Sequence, residues 1–185
     1  SEESLSAVVH PIIHFNEIND FKRKHELHPE HREQITINEL ALKGCIPHTS
    51  SLVFRRSFLP DFPEWLMKSP TGDYPIMLIL SDKSPFKVVN EYMSVYRVHS
   101  GGDWSRKKAQ AQKLSMLKAL LVFLDQDFDE EVKSAFRSQF VSHFKFLMQD
   151  ALFDNDKQLE DVFELMKTIP STEPLNSLLI HELFD

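Results

Sequence analysis

Three blocks of sequence between Cys45 and Ser105 decide the fold. The blocks read C-I-P-H-T-S-S-L-V-F-R-R at 45–56, F-P-E-W-L-M-K-S-P-T-G-D-Y-P at 62–75 and K-V-V-N-E-Y-M-S-V-Y-R-V-H-S-G-G-D-W-S at 87–105. The β-branched and aromatic residues predict a strand over 50–55, and one long strand or two short ones over 86–98. The middle block predicts a short helical turn at 63–67 and then a buried helix over 72–81 that begins near Asp73.

The residues before these blocks predict a strand and a short helix. The run A-V-V-H-P-I-I-H-F at 7–15 favours a strand, in which Pro11 indicates an edge position or a bulge. The polar, histidine-rich residues 16–35 predict a loop. Residues 35–44 predict a short helix that Gly44 ends.

From Ser105 onward the pattern is helical, with Ser105 itself as the predicted N-cap. Apolar residues recur at helical spacing in four stretches. Their members are Leu114, Leu117, Leu121 and Leu124; Phe128, Val132, Phe136, Phe140, Phe144 and Met148; Leu159, Val162, Phe163 and Met166; and Leu175, Leu178, Leu179 and Leu183 after a Thr172 cap. The prediction is an α/β chain, with a small mixed sheet and flanking helices over 1–104 and an all-helical segment over 105–185.

The composition excludes several classes of protein. The chain has 185 residues and a net charge of -7, which argues against a general nucleic-acid binder. Its single cysteine, Cys45, rules out an internal disulfide and fits a reducing compartment. No apolar run approaches the roughly 20 residues that a membrane span needs, so we expect a cytoplasmic protein.

Charge is distributed unevenly along the chain. From Arg97 to Lys113 there are five basic residues and one acid, a net of +4, whereas Asp125 to Asp161 holds ten acids and four bases, a net of -6. The basic stretch overlaps the third block, and Arg106, Lys107 and Lys108 within it could contact phosphate groups. Such a run is more often the solvated first turn of a helix.

Taken in order, the three blocks resemble the acceptor-binding half of a bacterial family 2 glycosyltransferase with the GT-A fold. The resemblance is specific over 45–105, weaker over 7–44 and absent beyond about residue 110. It implies transfer of a sugar, with inversion, from a nucleotide-sugar to a hydroxyl of a glycan or glycolipid acceptor in cell-surface glycan synthesis. The family's nucleotide-binding motifs do not occur here, so we expect this chain to be inactive alone.

The resemblance implies that Asp73 is the catalytic base, which takes the proton from the acceptor hydroxyl. A helix N-terminus favours the ionised carboxylate that a base needs. Asp is also a common helix cap, so a merely structural role for Asp73 is the alternative from the residues alone.

Further roles follow from the same resemblance. Trp65 is either a core residue or part of the acceptor wall, with the core more typical of its apolar neighbours. The resemblance places His99 near the metal or the diphosphate, with Arg97 and Arg106 beside it, and His48, Thr49, Ser50 and Trp104 on the acceptor side. The metal would be Mn²⁺ or Mg²⁺, as is usual where a nucleoside diphosphate leaves. Gly101 and Gly102 predict a mobile loop.

Three patterns that suggest metal sites are better explained otherwise. D-F-D at 127–129 and D-N-D at 154–156 match the Asp-x-Asp string of GT-A enzymes, but each lies between predicted helices, where capping explains it. His25, His28 and His31 are evenly spaced, yet they lie in a polar segment with Pro29, and solvated histidines fit that setting better than zinc.

Two other classes of function stay open. The chain could be a non-catalytic assembly module whose helical segment binds protein, or a helical binding domain with an accidental match. We also expect a homo-oligomer or domain-swapped association through unpaired sheet edges, and peripheral contact with the inner membrane surface.

Overall fold

The computed structural model describes residues 4–27, 33–59, 61–154, 156–169 and 174–184, with the side chains of 150–154, 156–159, 180 and 182–184 excluded. The fold is mixed α/β, with two small mixed sheets and a set of helices. The strands are β1 (Ala7–Val9), β2 (Ile12–Asn16), β3 (Phe21–His25), β4 (Gln34–Ile35), β5 (Val53–Phe54), β6 (Phe86–Val88) and β7 (Ser94–Val98). The helices are α1 (Ile37–Lys43), α2 (Asp73–Lys83), α3 (Ala109–Leu124), α4 (Glu130–Asp154), α5 (Asp156–Lys167) and α6 (Leu175–Phe184).

Each of the two sheets contains one pair of parallel strands. The first sheet has the order β4-β6-β1-β5, and the second has the order β3-β2-β7. Strand β1 is parallel to β6, and β2 is parallel to β7, while the outer pairings are antiparallel. Strand β1 leads directly into β2, and β6 leads into β7. The chain therefore passes from the first sheet to the second at two places, and the crossing strands are neighbours in both sheets.

The single strand predicted over 7–15 is wrong. The structure divides it at His10 and Pro11, and its halves belong to different sheets. Proline has no backbone N–H for a ladder hydrogen bond and restricts the residue before it, which favours a break here. The region 86–98 divides in the same way, as the two-strand alternative predicted.

The loop predicted over 16–35 is also wrong in part, because Phe21–His25 forms β3. This strand pairs along its whole length with β2. Its side chains are almost all exposed, so it lacks the alternation of buried and exposed residues that identifies strands in sequence. Backbone pairing with an adjacent strand, not burial, holds it.

The two helices next to the site form where the sequence predicts them. Thr36 and Glu39 make a reciprocal capping box at the start of α1, and Gly44 ends the helix with a φ of 86°. Helix α2 begins at Asp73. The hydroxyl of Tyr74 donates a 2.6 Å hydrogen bond to the carbonyl of Leu40 and so ties α2 to α1.

The Ser105 N-cap is wrong, because residues 99–108 form turns and α3 begins at Ala109. The predicted stripes of α3 and α4 face the core, and one continuous hydrophobic cluster joins the first sheet, α1 and α2 to the C-terminal helices. Leu178 is 41% exposed instead of facing inward. The predicted Thr172 cap lies outside the described residues, as do the side chains of Leu159 and Leu183.

An aromatic cluster forms the centre of this core. Phe123 is fully buried and contacts the rings of Trp65, Tyr74 and Phe136 at centroid distances of 6.1, 5.2 and 5.5 Å. Trp65 is therefore a core residue, which is the interpretation that its apolar neighbours favour.

Among the described helices, none is both long enough and apolar enough to cross a membrane.

Candidate functional site

A cavity of about 550 Å³ opens beside the N-terminus of α2. This volume lies within the range of small-molecule sites. Its walls come from the segment after α1, the start of α2, strand β7 and the turns before α3. The lining residues are Cys45, Pro47, His48, Thr49, Pro70, Thr71, Gly72, Asp73, Tyr74, Tyr96, Asp103, Trp104, Lys107 and Met116.

Asp73 lies at the first position of α2, where the N-cap is Gly72 and makes no side-chain cap. Its Oδ2 accepts a short hydrogen bond from the Thr49 hydroxyl, and its Oδ1 accepts one of 2.9 Å from the N–H of Tyr74. Asp73 is thus not the N-cap of the helix. Both of its oxygens are oriented by other groups, in a cavity wall near the positive end of the helix dipole.

Aromatic rings also line the cavity. The ring of Tyr96 lies 4.5 Å from that of His48, centroid to centroid. Trp104 is 38% exposed, and the Nζ of Lys107 lies 5.0 Å from its ring. The cavity therefore combines an oriented carboxylate with flat apolar surfaces and one cation, Lys107, among the lining residues that the structure describes.

His48 is neutral at physiological pH. Its pKa is lowered to about 4, mainly by burial and then by the nearby imidazoles of His25 and His14, while the Asp73 carboxylate acts in the opposite direction. A neutral imidazole can offer one N–H donor and one nitrogen acceptor to a ligand.

Cys45 is not suited to act as a nucleophile. Although the residue as a whole is exposed, its Sγ lies 3.4 Å from the carbonyl oxygen of Pro47 and 3.3 Å from the sulfur of Met77. Burial of the thiol, followed by the Asp73 carboxylate, raises the pKa of Cys45. The reactive thiolate form is therefore disfavoured at neutral pH.

The structure brings together four of the residues that the resemblance singles out: Asp73, His48, Thr49 and Trp104 all line the cavity. Ser50 does not line it; its hydroxyl oxygen accepts a hydrogen bond of 3.4 Å from the Ser94 hydroxyl.

The three residues predicted to lie near the diphosphate are not in the lining of this cavity. Arg97 forms an ion pair of 3.0 Å with Glu17, and Arg106 forms one of 3.4 Å with Asp103. His99 follows the end of β7, and its carbonyl accepts hydrogen bonds from Gly102 and Ser105. Arg97 and His99 therefore do not lie on one extended strand.

Among the described residues, no group of three or more His, Cys, Asp or Glu side chains is placed to hold a metal ion. Asp127 and Asp129 are exposed and lie between α3 and α4, while Phe128 between them packs against the core. His25 lies on β3 with its Nδ1 buried, so the solvated loop position predicted for it is wrong. His28, His31 and Asn155 lie outside the described residues, as do the side chains of Asp154 and Asp156.

Sequence reasoning missed Tyr96 and Asp103 as cavity residues. Tyr96 lies in the Y-R-V-H string, in which the resemblance singles out Arg97 and His99 instead. Alternation along that strand was the available signal, because Ser94, Tyr96 and Val98 share one face. Nothing in the pattern around Asp103 indicates a cavity.

Comparison with known proteins yields no match for this chain among family models, curated proteins or solved structures.

Proposed function

We propose that this chain is the acceptor-binding part of an inverting family 2 glycosyltransferase with a partial GT-A fold. In this proposal the enzyme moves a sugar from a nucleotide-sugar to an acceptor hydroxyl, and the cavity beside α2 holds the acceptor. The observation that carries the proposal is the oriented carboxylate of Asp73, which faces a cavity with aromatic walls.

The chemistry assigned to Asp73 is general-base catalysis. Its carboxylate takes the proton as the acceptor oxygen forms a bond to the anomeric carbon, while the bond from that carbon to the diphosphate breaks. The hydrogen bonds from Thr49 and Tyr74 fix the direction in which the carboxylate points. Fixed orientation contributes to rate because the acceptor must be held in line with the bond that breaks.

The aromatic side chains suit a sugar. Tyr96 and Trp104 offer flat apolar surfaces for the C–H face of a pyranose ring, and the neutral His48 and the Thr71 hydroxyl offer hydrogen bonds to its hydroxyls. A cavity with apolar walls and a few convergent polar groups is typical of a site for a small ligand.

The described residues do not fit the Mn²⁺ or Mg²⁺ that the resemblance implies, since they form no group of three ligating side chains. We therefore assign no metal ligand within them, and the role suggested for His99 at a metal has no support from its position in the turn.

Saturation-transfer NMR with a panel of neutral monosaccharides tests the acceptor site on this chain. We expect at least one sugar to receive saturation from the protein. Trp104→Ala should remove that signal, whereas Phe62→Ala, which removes a 55% exposed aromatic outside the cavity, should preserve it. No signal with any sugar, or equal signals from both variants, would oppose the proposal.

A non-catalytic assembly module is the second candidate. Helices α4, α5 and α6 expose Phe146, Phe163 and Leu178 by 42%, 52% and 41%, and exposed apolar side chains can mark a protein interface. This function does not need Asp73, so Asp73→Asn would leave it unchanged.

A further inference from the structure

Three histidines lie together behind the aromatic wall of the cavity; we refer to His14, His25 and His48 as the histidine cluster. The ring of His25 meets that of His48 edge-on at a centroid distance of 5.1 Å. The ring of His14 lies 5.7 Å from that of Tyr96, which in turn contacts His48. Only His48 and Tyr96 reach the cavity itself.

The register of the second sheet brings the cluster together. His14 on β2 is opposite Tyr96 on β7 and opposite Arg23 on β3. His25 is two residues beyond Arg23 on the same strand, so its side chain shares that face of the sheet. Histidines that are far apart in sequence therefore form one layer behind the cavity.

Two ring nitrogens of the cluster have no hydrogen-bond partner among the described residues. The Nδ1 atoms of His14 and of His25 are both buried and unpaired. Buried polar atoms without partners cost free energy, so such positions are rare and frequently functional. Neither of these two nitrogens has a carboxylate within hydrogen-bond distance to accept an N–H bond after protonation.

The charged groups around His48 come from four elements. Strand β2 contributes His14, β3 contributes His25, β7 contributes the phenol of Tyr96, and the start of α2 contributes the carboxylate of Asp73. Asp73 alone among them attracts a protonated His48; His14 and His25 oppose its protonation. Burial lowers the pKa of His14 as well, assisted by Arg23 and His25.

We propose that the histidine cluster is a pH-operated switch that controls the availability of Asp73. When His48 is neutral, its ring packs between His25 and Tyr96, and the Asp73 carboxylate faces the cavity with its Thr49 hydrogen bond intact. When His48 is protonated, repulsion from the cluster and attraction to the carboxylate turn its ring toward Asp73. The resulting ion pair replaces the Thr49 hydrogen bond and blocks the cavity.

Titration of the histidine ring nitrogens by NMR tests this switch on the chain without any sugar, so its result is independent of the proposed function. In the wild type we expect His48 to titrate near pH 4, with the signals of Thr49 and Tyr96 moving at the same midpoint. The double variant His14→Gln/His25→Gln should shift the midpoint upward. The control His181→Gln, at an exposed position on α6, should leave the His48 midpoint unchanged.

The double variant also covers the case in which the wild type unfolds near pH 4. Because its midpoint is higher, the response of Thr49 and Tyr96 to the titration of His48 can be followed at a pH where circular dichroism shows a folded protein. Signals of Thr49 and Tyr96 that stay constant while His48 titrates would overturn the proposal. A midpoint that is the same in the wild type and the double variant would overturn it as well.

Discussion

The hydroxyl of Thr49 donates a hydrogen bond to the carboxylate of Asp73, 24 residues further along the chain. Thr49 belongs to a short 3₁₀ turn before β5, and Asp73 begins α2. The hydrogen bond therefore joins two of the three sequence blocks that decide the fold. It also restricts the carboxylate that we propose as the base.

Thr49→Val should slow sugar transfer in the natural protein that contains this chain. The loss should be about tenfold or more, because a hydrogen bond to a charged group is worth about 1.5–3 kcal/mol. The effect should fall on kcat, since Thr49 acts through Asp73. Thr49→Ser retains the hydroxyl and should recover most of the rate; a valine variant as active as the serine variant would contradict the role.

Phe123→Ala should destabilise the fold strongly. Phe123 is fully buried among three other aromatic rings, and deletion of such a side chain typically costs about 3–5 kcal/mol. Phe163→Ala removes a ring that is 52% exposed and should change the free energy of unfolding by only about 0.5 kcal/mol. Urea denaturation measures both. Similar losses would argue against the aromatic cluster as the centre of the core.

Stability should fall as the pH falls from about 6.5 to 4, in part because of His143. Burial and then Lys113, whose Nζ lies 3.2 Å from Nδ1, lower the pKa of His143 to about 4 from 6.5 in the unfolded chain. Between these values the unfolded chain binds more protons, so acidification favours unfolding. His143→Gln removes this contribution and should flatten the fall in melting temperature over that pH range. A variant with the pH dependence of the wild type would exclude a contribution from His143.

Several elements could be predicted from sequence because local chemistry determines them. Gly44 ends α1 with a positive φ that glycine adopts without strain, and Asp73 begins α2 as the G-D-Y-P string indicates. The position of β3 could not be predicted in this way. Its side chains are exposed, and the strand exists because the adjacent β2 supplies hydrogen bonds.

The candidate site could be predicted only in part. Asp73, His48, Thr49 and Trp104 belong to blocks with a recognisable order, and the structure brings them to one cavity. The contacts of His48 with His25 and Tyr96 depend on the register of a sheet that sequence patterns did not reveal. Long-range pairing of this kind is not encoded in local periodicity.

The chain alone should not bind UDP in the presence of Mn²⁺. The described residues provide no group of three ligating side chains, and the acceptor side of the reaction is what we assign to them. Isothermal titration calorimetry with and without Mn²⁺ measures this. Clear metal-dependent binding would contradict the assignment and would direct attention to Asp127 and Asp129.

The most direct test of the central claim is sugar transfer by Asp73→Asn in the natural protein that contains this chain. General-base catalysis contributes about 10²–10⁴-fold, so the variant should lose at least about 100-fold in kcat while it still binds the acceptor. Asp82→Asn, an exposed position on the same helix, should keep the wild-type rate. Transfer by Asp73→Asn at the rate of Asp82→Asn would contradict the account.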